Sequence, residues 1–210
     1  MSNLSVIERT RVPLAPPPSE FVTSTLALTR RWEDIAFRMP SQCHSNWCWA
    51  AVAEGIAKYY NPGSNCKQCR IAQRILRDPD CCNFECGTVV RFNRPHSLVA
   101  ALSLIDCRAT GMAPGQRLSL AELQSEIRAG RPVCARIVWT DGNPSLDIPR
   151  NGKHFVAITG YLPGTSKIRI RDPWFDDDVI DYDEFCTDYQ SAGGTWTDTY
   201  LTRMGRGSCS

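Results

Sequence analysis

Histidine is scarce in this chain, with only His44, His96 and His154 among 210 residues. Any proton transfer that needs an imidazole has just these three to draw on. Long apolar runs are absent as well. A membrane-spanning helix needs about 20 consecutive apolar residues, so no membrane span is expected. No basic stripe stands out against a net charge of +2, which argues against nucleic acid as the main partner. The opening residues, Met1–Thr10, lack a basic stretch followed by an apolar one, so no secretory signal of the usual kind is read. That leaves export by a route without such a signal, or the cytoplasm, as the destination. With 22% charged and 42% hydrophobic residues in 23.5 kDa, the chain suits one domain or two tightly packed lobes.

Cysteine, by contrast, is plentiful. There are 11: Cys43, Cys48, Cys66, Cys69, Cys81, Cys82, Cys86, Cys107, Cys134, Cys186 and Cys209. An odd count leaves at least one thiol free even if all others pair. So many cysteines point to disulfides and an oxidising destination, as for a protein made in the cytosol and exported later. Cys66 and Cys69 have the C-x-x-C spacing of a zinc site. However, no histidine lies near, and the adjacent Cys81 and Cys82 could not both bind one tetrahedral ion without strain. A disulfide between the helix carrying Cys66 and Cys69 and the Cys81–Cys86 loop is the preferred reading, with zinc as its competitor.

The chain is organised around Gln42-Cys-His-Ser-Asn-Trp-Cys48-Trp-Ala-Ala51. From Trp49 the apolar positions Val52, Ala53, Ile56 and Tyr60 recur with the period of one helix face, and Asn61-Pro-Gly63 ends the helix. Cys48 then falls in the first turn of a buried helix. There the unpaired N–H groups carry partial positive charge, which favours a thiolate and can stabilise an oxyanion. A structural core cysteine is the competing reading.

Before this stretch, residues 1–34 read as a proline-rich leader: an export signal, an inhibitory pro-segment or a solvated tail. Ile35–Pro40 reads as a short strand. After it come helices over Asn65–Leu76 and His96–Ile105, and one opened by the capping box Ser119-Leu-Ala-Glu122 and closed at Gly130. Five β-branched or aromatic segments follow, at 132–139, 154–161, 166–171, 178–182 and 195–201, separated by turn residues. Helices first and an antiparallel sheet second make an α+β layout: a helical lobe over about 41–130, a β lobe over about 131–203, and a cleft between them.

A cysteine nucleophile needs a base, a group that orients the base, and an oxyanion donor. His44 lies too close to Cys48 along a tight loop to approach it across a cleft, though a substrate-binding role stays open. His96 reads as a surface or helix-end residue. His154 begins an apolar strand just after the Asn151-Gly152 turn. A hairpin of strands 154–161 and 166–171 would return Asp172 to its side, where a carboxylate accepts the imidazole Nδ1–H. Trp174 would cover that bond, and Trp49, which flanks the thiol, is likewise expected to shield the site or meet the substrate. Gln42, six positions before Cys48, could return its amide to the helix N-terminus as an oxyanion donor.

These residues resemble the papain-like cysteine proteases, and within them the bacterial avirulence-effector type. The similarity runs through Asn46-Trp-Cys-Trp-Ala-Ala51, Gly152-Lys-His-Phe-Val-Ala-Ile-Thr-Gly-Tyr161, Asp172-Pro-Trp174 and Gly194-Thr-Trp196, over roughly residues 35–203. The resemblance implies a papain-like domain over 35–210, with Cys48 as nucleophile and His154 as base. It also implies Asp172 as orienting residue, where papain has asparagine, and Gln42 as oxyanion donor. Papain's disulfide next to the nucleophile is not carried over to Cys43, whose spacing differs. The implied activity is endopeptidase cleavage of a protein or peptide substrate by a monomer, without metal or organic cofactor. Two rivals stand beside it: another acyl transfer on the same triad, as in a transglutaminase or deamidase, and a silent peptide-binding module. The acidic run 175–184 reads either as a solvated loop or as a selector for basic substrate residues, and its spacing fits no calcium loop.

Overall fold

A computed structural model describes residues 30–110 and 115–209. Most of the expected leader lies outside the described residues. The strands are β1 (Glu33–Asp34), β2 (Val133–Trp139), β3 (Gly152–Tyr161), β4 (Lys167–Arg171), β5 (Asp178–Asp181) and β6 (Thr195–Leu201). The α-helices are α1 (Cys48–Tyr60), α2 (Gln68–Leu76), α3 (Leu98–Leu104), α4 (Leu120–Arg128) and α5 (Tyr182–Thr187). The molecule is α+β, with its helices largely ahead of an antiparallel sheet of order β5-β4-β3-β2-β6. Among the described residues no helix is long and apolar enough to cross a membrane.

β3 is the middle of the molecule, buried at nine of its ten positions. Its alternation explains why. Phe155 and Ala157 join the cluster built by α1, α2 and α3, whereas Val156 and Ile158 join the cluster of α4, α5 and the neighbouring strands. The strand is therefore apolar almost throughout, as a strand covered on both faces must be. β2 pairs along it from Val133↔Ile158 to Trp139↔Gly152, and β4 pairs on its other edge from Ala157↔Arg171 to Tyr161↔Ile168.

Three boundaries differ from the sequence reading. Ile35–Pro40 is not a strand; the strand lies just before it, at Glu33–Asp34, paired with Tyr161 and Gly160. Residues 35–40 instead cross α1 at Gly55, where a Cβ would stand 2.8 Å from Phe37 Cζ and 3.2 Å from the Arg38 carbonyl. Residues 32–34, assigned to the leader by composition, are held on the sheet. Arg169 stacks over Trp32 at 4.5 Å and pairs with Asp34 at 2.9 Å. Lastly α4, with its capping box in place, buries Leu123 and Ile127 against the sheet and not with α1–α3. The helical lobe thus ends before α4.

Three disulfides join Cys43 to Cys86, Cys66 to Cys209 and Cys69 to Cys82. The third is the expected link from α2 to the following loop. The two C-x-x-C cysteines take different partners, and among the described residues no group of three or more His, Cys, Asp or Glu is placed to hold a metal. Cys48, Cys81, Cys107, Cys134 and Cys186 are free and buried.

Candidate active site

Cys48 is the first residue of α1, with no side chain capping the helix and no acid in its first turn. The positive end of the helix is therefore not neutralised within the helix itself. Ala50 and Ala51 both donate their N–H groups to the Trp47 carbonyl at 2.9 Å. The Cys48 N–H has no acceptor among the described residues, as the first groups of a helix usually lack one.

The loop in front of Cys48 is pinned from several sides. Gln68 on α2 accepts from Cys43 N and donates to the Ser41 carbonyl, both at 2.8 Å. Asn93 accepts from Asn46 N at 2.9 Å, and Trp47 Nε1 donates to the Phe92 carbonyl at 2.7 Å. The Cys43–Cys86 disulfide adds a covalent tie. Across the cleft, Gln42 N donates to the Pro173 carbonyl at 2.8 Å. Gln68 and Asn93 carry no motif, and nothing in the sequence marks them.

The β3–β4 hairpin brings Asp172 beside His154. Both are buried, with His154 Nε2 2.7 Å from Asp172 Oδ1. The ring is turned the other way from the sequence expectation: Nε2, not Nδ1, meets the carboxylate. Nδ1 is then the nitrogen left for Cys48, whose thiol acts on the same imidazole. Burial alone would push His154 down; Asp172 and Cys48 outweigh it and raise the imidazole to about 10. His154 follows Asn151, whose φ of 55° turns the chain into β3, a conformation asparagine tolerates better than most residues.

Asp172 is fully engaged. Oδ1 also accepts from Trp174 N at 2.7 Å and Phe175 N at 2.9 Å, and Oδ2 accepts from Tyr189 Oη at 2.8 Å. The rings around His154 are Trp139, at 6.3 Å between centroids, and Phe175, edge-on at 6.0 Å. Tyr189, Trp139 and Phe175 were missed at the sequence level, where each reads as an ordinary core or loop aromatic.

The two expected tryptophans sit differently. Trp49 is fully buried, donates to the Arg94 carbonyl at 3.1 Å and packs against Trp47 and His96. It supports the helical lobe and presents no surface to a substrate. Trp174 is 46% exposed and lines the cleft; Phe175 and Trp139, not Trp174, pack on the imidazole. His44 lies buried against Trp47 at 4.4 Å, where burial lowers its pKa. His96 is exposed.

Gln42 is near the helix start as expected, but its amide is occupied. Nε2 donates to the carbonyls of His44 and Ser45, each at 2.8 Å, and Oε1 is buried without a partner. An amide nitrogen has two hydrogens, so neither is free in this arrangement.

A cleft of about 630 Å³ opens on the His154 side. Its walls include Ser45 and Asn46 from the loop before Cys48, Trp139, Trp174 and Phe175, and the loop from Asp141 to Arg150. Two acids of the run 175–184 pair within the fold: Asp177 with Arg171, and Asp181 with Lys167. The run is not a loop throughout, since β5 and the start of α5 lie within it.

The family model described as "Peptidase_C39 like family" matches residues 34–200. Among solved structures, a protein from Bacillus anthracis described as C39-like superposes with a TM-score of 0.50 at 17% identity. The match covers 81% of this chain and 95% of that one, and the likeness is one of fold. Xylellain, a cysteine protease from Xylella fastidiosa, gives a TM-score of 0.41 at 13% identity over 83% of this chain and 85% of that one, too slight to argue from. No curated protein sequence matches the chain.

Proposed function

From the premise that this chain belongs to the peptidase C39-like family, we propose that it is a cysteine endopeptidase acting through Cys48, His154 and Asp172. The observation that carries the reading is the buried His154–Asp172 contact at 2.7 Å, with the Cys48 thiol acting on the same ring from the start of α1. In this mechanism the proton of Cys48 passes to His154 Nδ1, leaving a thiolate beside an imidazolium. The thiolate attacks the peptide carbonyl, and the tetrahedral oxyanion forms near the Cys48 N–H. His154 then gives its proton to the leaving amine as the C–N bond breaks, which leaves a thioester on Cys48. The neutral imidazole next takes a proton from water, the hydroxide attacks the thioester carbonyl, the C–S bond breaks to release the carboxylic acid product, and the Cys48 thiolate is restored beside the imidazolium.

Asp172 stabilises the imidazolium and fixes the ring; it does not itself take the proton. Gln42 can serve as second oxyanion donor only by releasing the His44 or Ser45 carbonyl, so its contribution requires a side-chain movement as substrate binds. The open cleft lies on the side of His154, where the leaving amine departs, and offers room for a chain that continues past the scissile bond. This supports endopeptidase action. The disulfides support an oxidising destination, in keeping with an exported, effector-type protein.

Cleavage of a proteome-derived peptide library near neutral pH tests the reading, with Cys48→Ala as control. New amino termini that appear only with the intact protein are expected. Cleavage that persists in Cys48→Ala, or ammonia release without new termini, would end it.

A further inference from the structure

Tyr189 belongs to none of the motifs behind the proposed triad, yet among the described residues it makes the one hydrogen bond to the far oxygen of the Asp172 carboxylate. Its hydroxyl donates to Asp172 Oδ2 at 2.8 Å. The other three donors, His154 Nε2, Trp174 N and Phe175 N, all fall on Oδ1. Three donors share one oxygen while the second has Tyr189, and the last torsion of an aspartate is soft enough for the group to rotate if that second partner is lost. The Asp172 side chain has no solvent exposure, so without Tyr189 the second oxygen would lie buried and unpaired. The group would then turn so that its two oxygens share the donors that remain, which moves Oδ1 off His154 Nε2.

Resting on the triad reading above, we propose that Tyr189 is a positioning residue: its O–H locks the Asp172 carboxylate so that Oδ1 stays aligned with His154 Nε2.

The tyrosine is itself tightly held. Its N–H donates to the Gly194 carbonyl at 2.8 Å, and its ring packs on Phe185 at 5.3 Å and Trp139 at 6.3 Å between centroids. Trp139 in turn packs on the His154 ring. One aromatic residue therefore supports the pair twice, through its hydroxyl on Asp172 and through Trp139 on His154. Burial, together with the negative charge of Asp172, pushes the phenol far above its ordinary value, so it remains a donor throughout the working range.

The titratable and charged groups around the pair come from several elements. Cys48 faces His154 from α1, and Tyr189 faces Asp172 from the turn after α5. Asp178, at the start of β5, acts on Tyr189. At the mouth of the cleft lie Lys153 and the exposed Asp141–Arg150 pair. Removing one hydroxyl leaves all of these in place, so a shift in the His154 titration reports the alignment itself.

The test is Tyr189→Phe in the full chain with its disulfides formed. Only three histidines need to be assigned, so the His154 imidazole can be followed by NMR without any substrate. The alkaline limb of Cys48 alkylation by iodoacetamide, with Cys48→Ala as background, gives a second readout. The expected result is a fall of at least half a pH unit in the His154 titration and in that limb. On a peptide cleaved by the wild type, kcat falls about tenfold or more while KM stays within twofold. 4-Aminophenylalanine at position 189, which restores an N–H donor, brings the limb back. 4-Fluorophenylalanine, which fills the space without donating, replaces Tyr189→Phe if that variant does not fold. An unmoved His154 titration overturns the proposal, whether kcat falls or not. Absence of Cys48-dependent cleavage in the wild type counts against the peptidase reading instead, and the NMR titration still decides the role of Tyr189.

Discussion

Replacing Asp172 by asparagine isolates the charge of the orienting group from its shape. The amide oxygen can take the place of Oδ1 and accept from His154 Nε2, Trp174 N and Phe175 N. The amide nitrogen then faces Tyr189, whose oxygen can accept from it. The fold should survive, and what disappears is the negative charge. With Oδ1 2.7 Å from Nε2, the charge centres lie about 4 Å apart, and at an effective dielectric of about 20 they attract by about 4 kcal/mol. At about 1.36 kcal/mol per pKa unit this is about 3 units. His154 should therefore drop from about 10 to about 7, because burial is then opposed by Cys48 alone. The sign follows directly. A raised histidine pKa stabilises the fold fully below its unfolded value of 6.5, and that stability is lost as pH rises to about 10. The advantage of wild type over Asp172→Asn should shrink across that window. The alkaline limb of kcat/KM should likewise move down by about 3 pH units. Paired pH–rate profiles and thermal melts of the two proteins measure both effects. A limb that stays near its wild-type position in a folded Asp172→Asn protein would refute the reasoning, because some other group would then be holding the imidazolium.

Other perturbations read other parts of the site. At Gly194 a Cβ would stand 2.7 Å from Trp139 Nε1 and 2.9 Å from the Tyr189 carbonyl. Gly194→Ala should cost about 1–3 kcal/mol, seen as a lower Tm and reduced turnover. Trp139→Phe should restore part of that loss by giving way and removing a buried N–H that has no partner. Changing both Cys43 and Cys86 to serine removes the covalent tie beside Gln42; a loss of about 2–4 kcal/mol in denaturant unfolding is expected, with activity falling while the rest of the fold holds. Ser119→Ala breaks the capping box of α4 at a cost of about 1 kcal/mol. It should leave kcat unchanged, since α4 lies against the sheet and not in the cleft.

The elements that bear the chemistry were legible because local patterns and tertiary demands agree there. The helix stop at Asn61-Pro-Gly63, the capping box at Ser119 and the β-branched runs separated by turns each state one structure, and α1, α4 and the five later strands follow them closely. The hairpin argument that returned Asp172 to His154 needed only strand pairing, and the register Ala157↔Arg171 bears it out. What escaped depends on distance in the chain. The ring orientation of His154 is fixed by which nitrogen the backbone presents to Asp172, which alternation of strand residues does not encode. Tyr189 follows α5, a short helix in a run that reads as acidic loop, and its hydroxyl matters only because the sheet carries it to Asp172. Trp49 looked like a substrate contact because it adjoins Cys48. One step along a helix is about 100° of rotation, enough to turn it into the core.

That last contrast bears on how such a site is assembled. The thiol comes from the free end of a helix, and the imidazole and carboxylate from one end of the central hairpin of the sheet. Neither half alone positions a nucleophile against its base. The halves are fastened close to the reacting atoms: Gln42 N reaches the Pro173 carbonyl, so the residue six before the thiol bonds to the residue after the orienting carboxylate. The same segment then places its Gln42 side chain on the His44 and Ser45 carbonyls. A substrate carbonyl entering beside Cys48 would compete for that amide without disturbing the backbone tie. Under the proposed mechanism, Gln42 would exchange partners as oxyanion donor while the backbone tie to Pro173 holds the two halves together, which a donor carried on a free loop could not do.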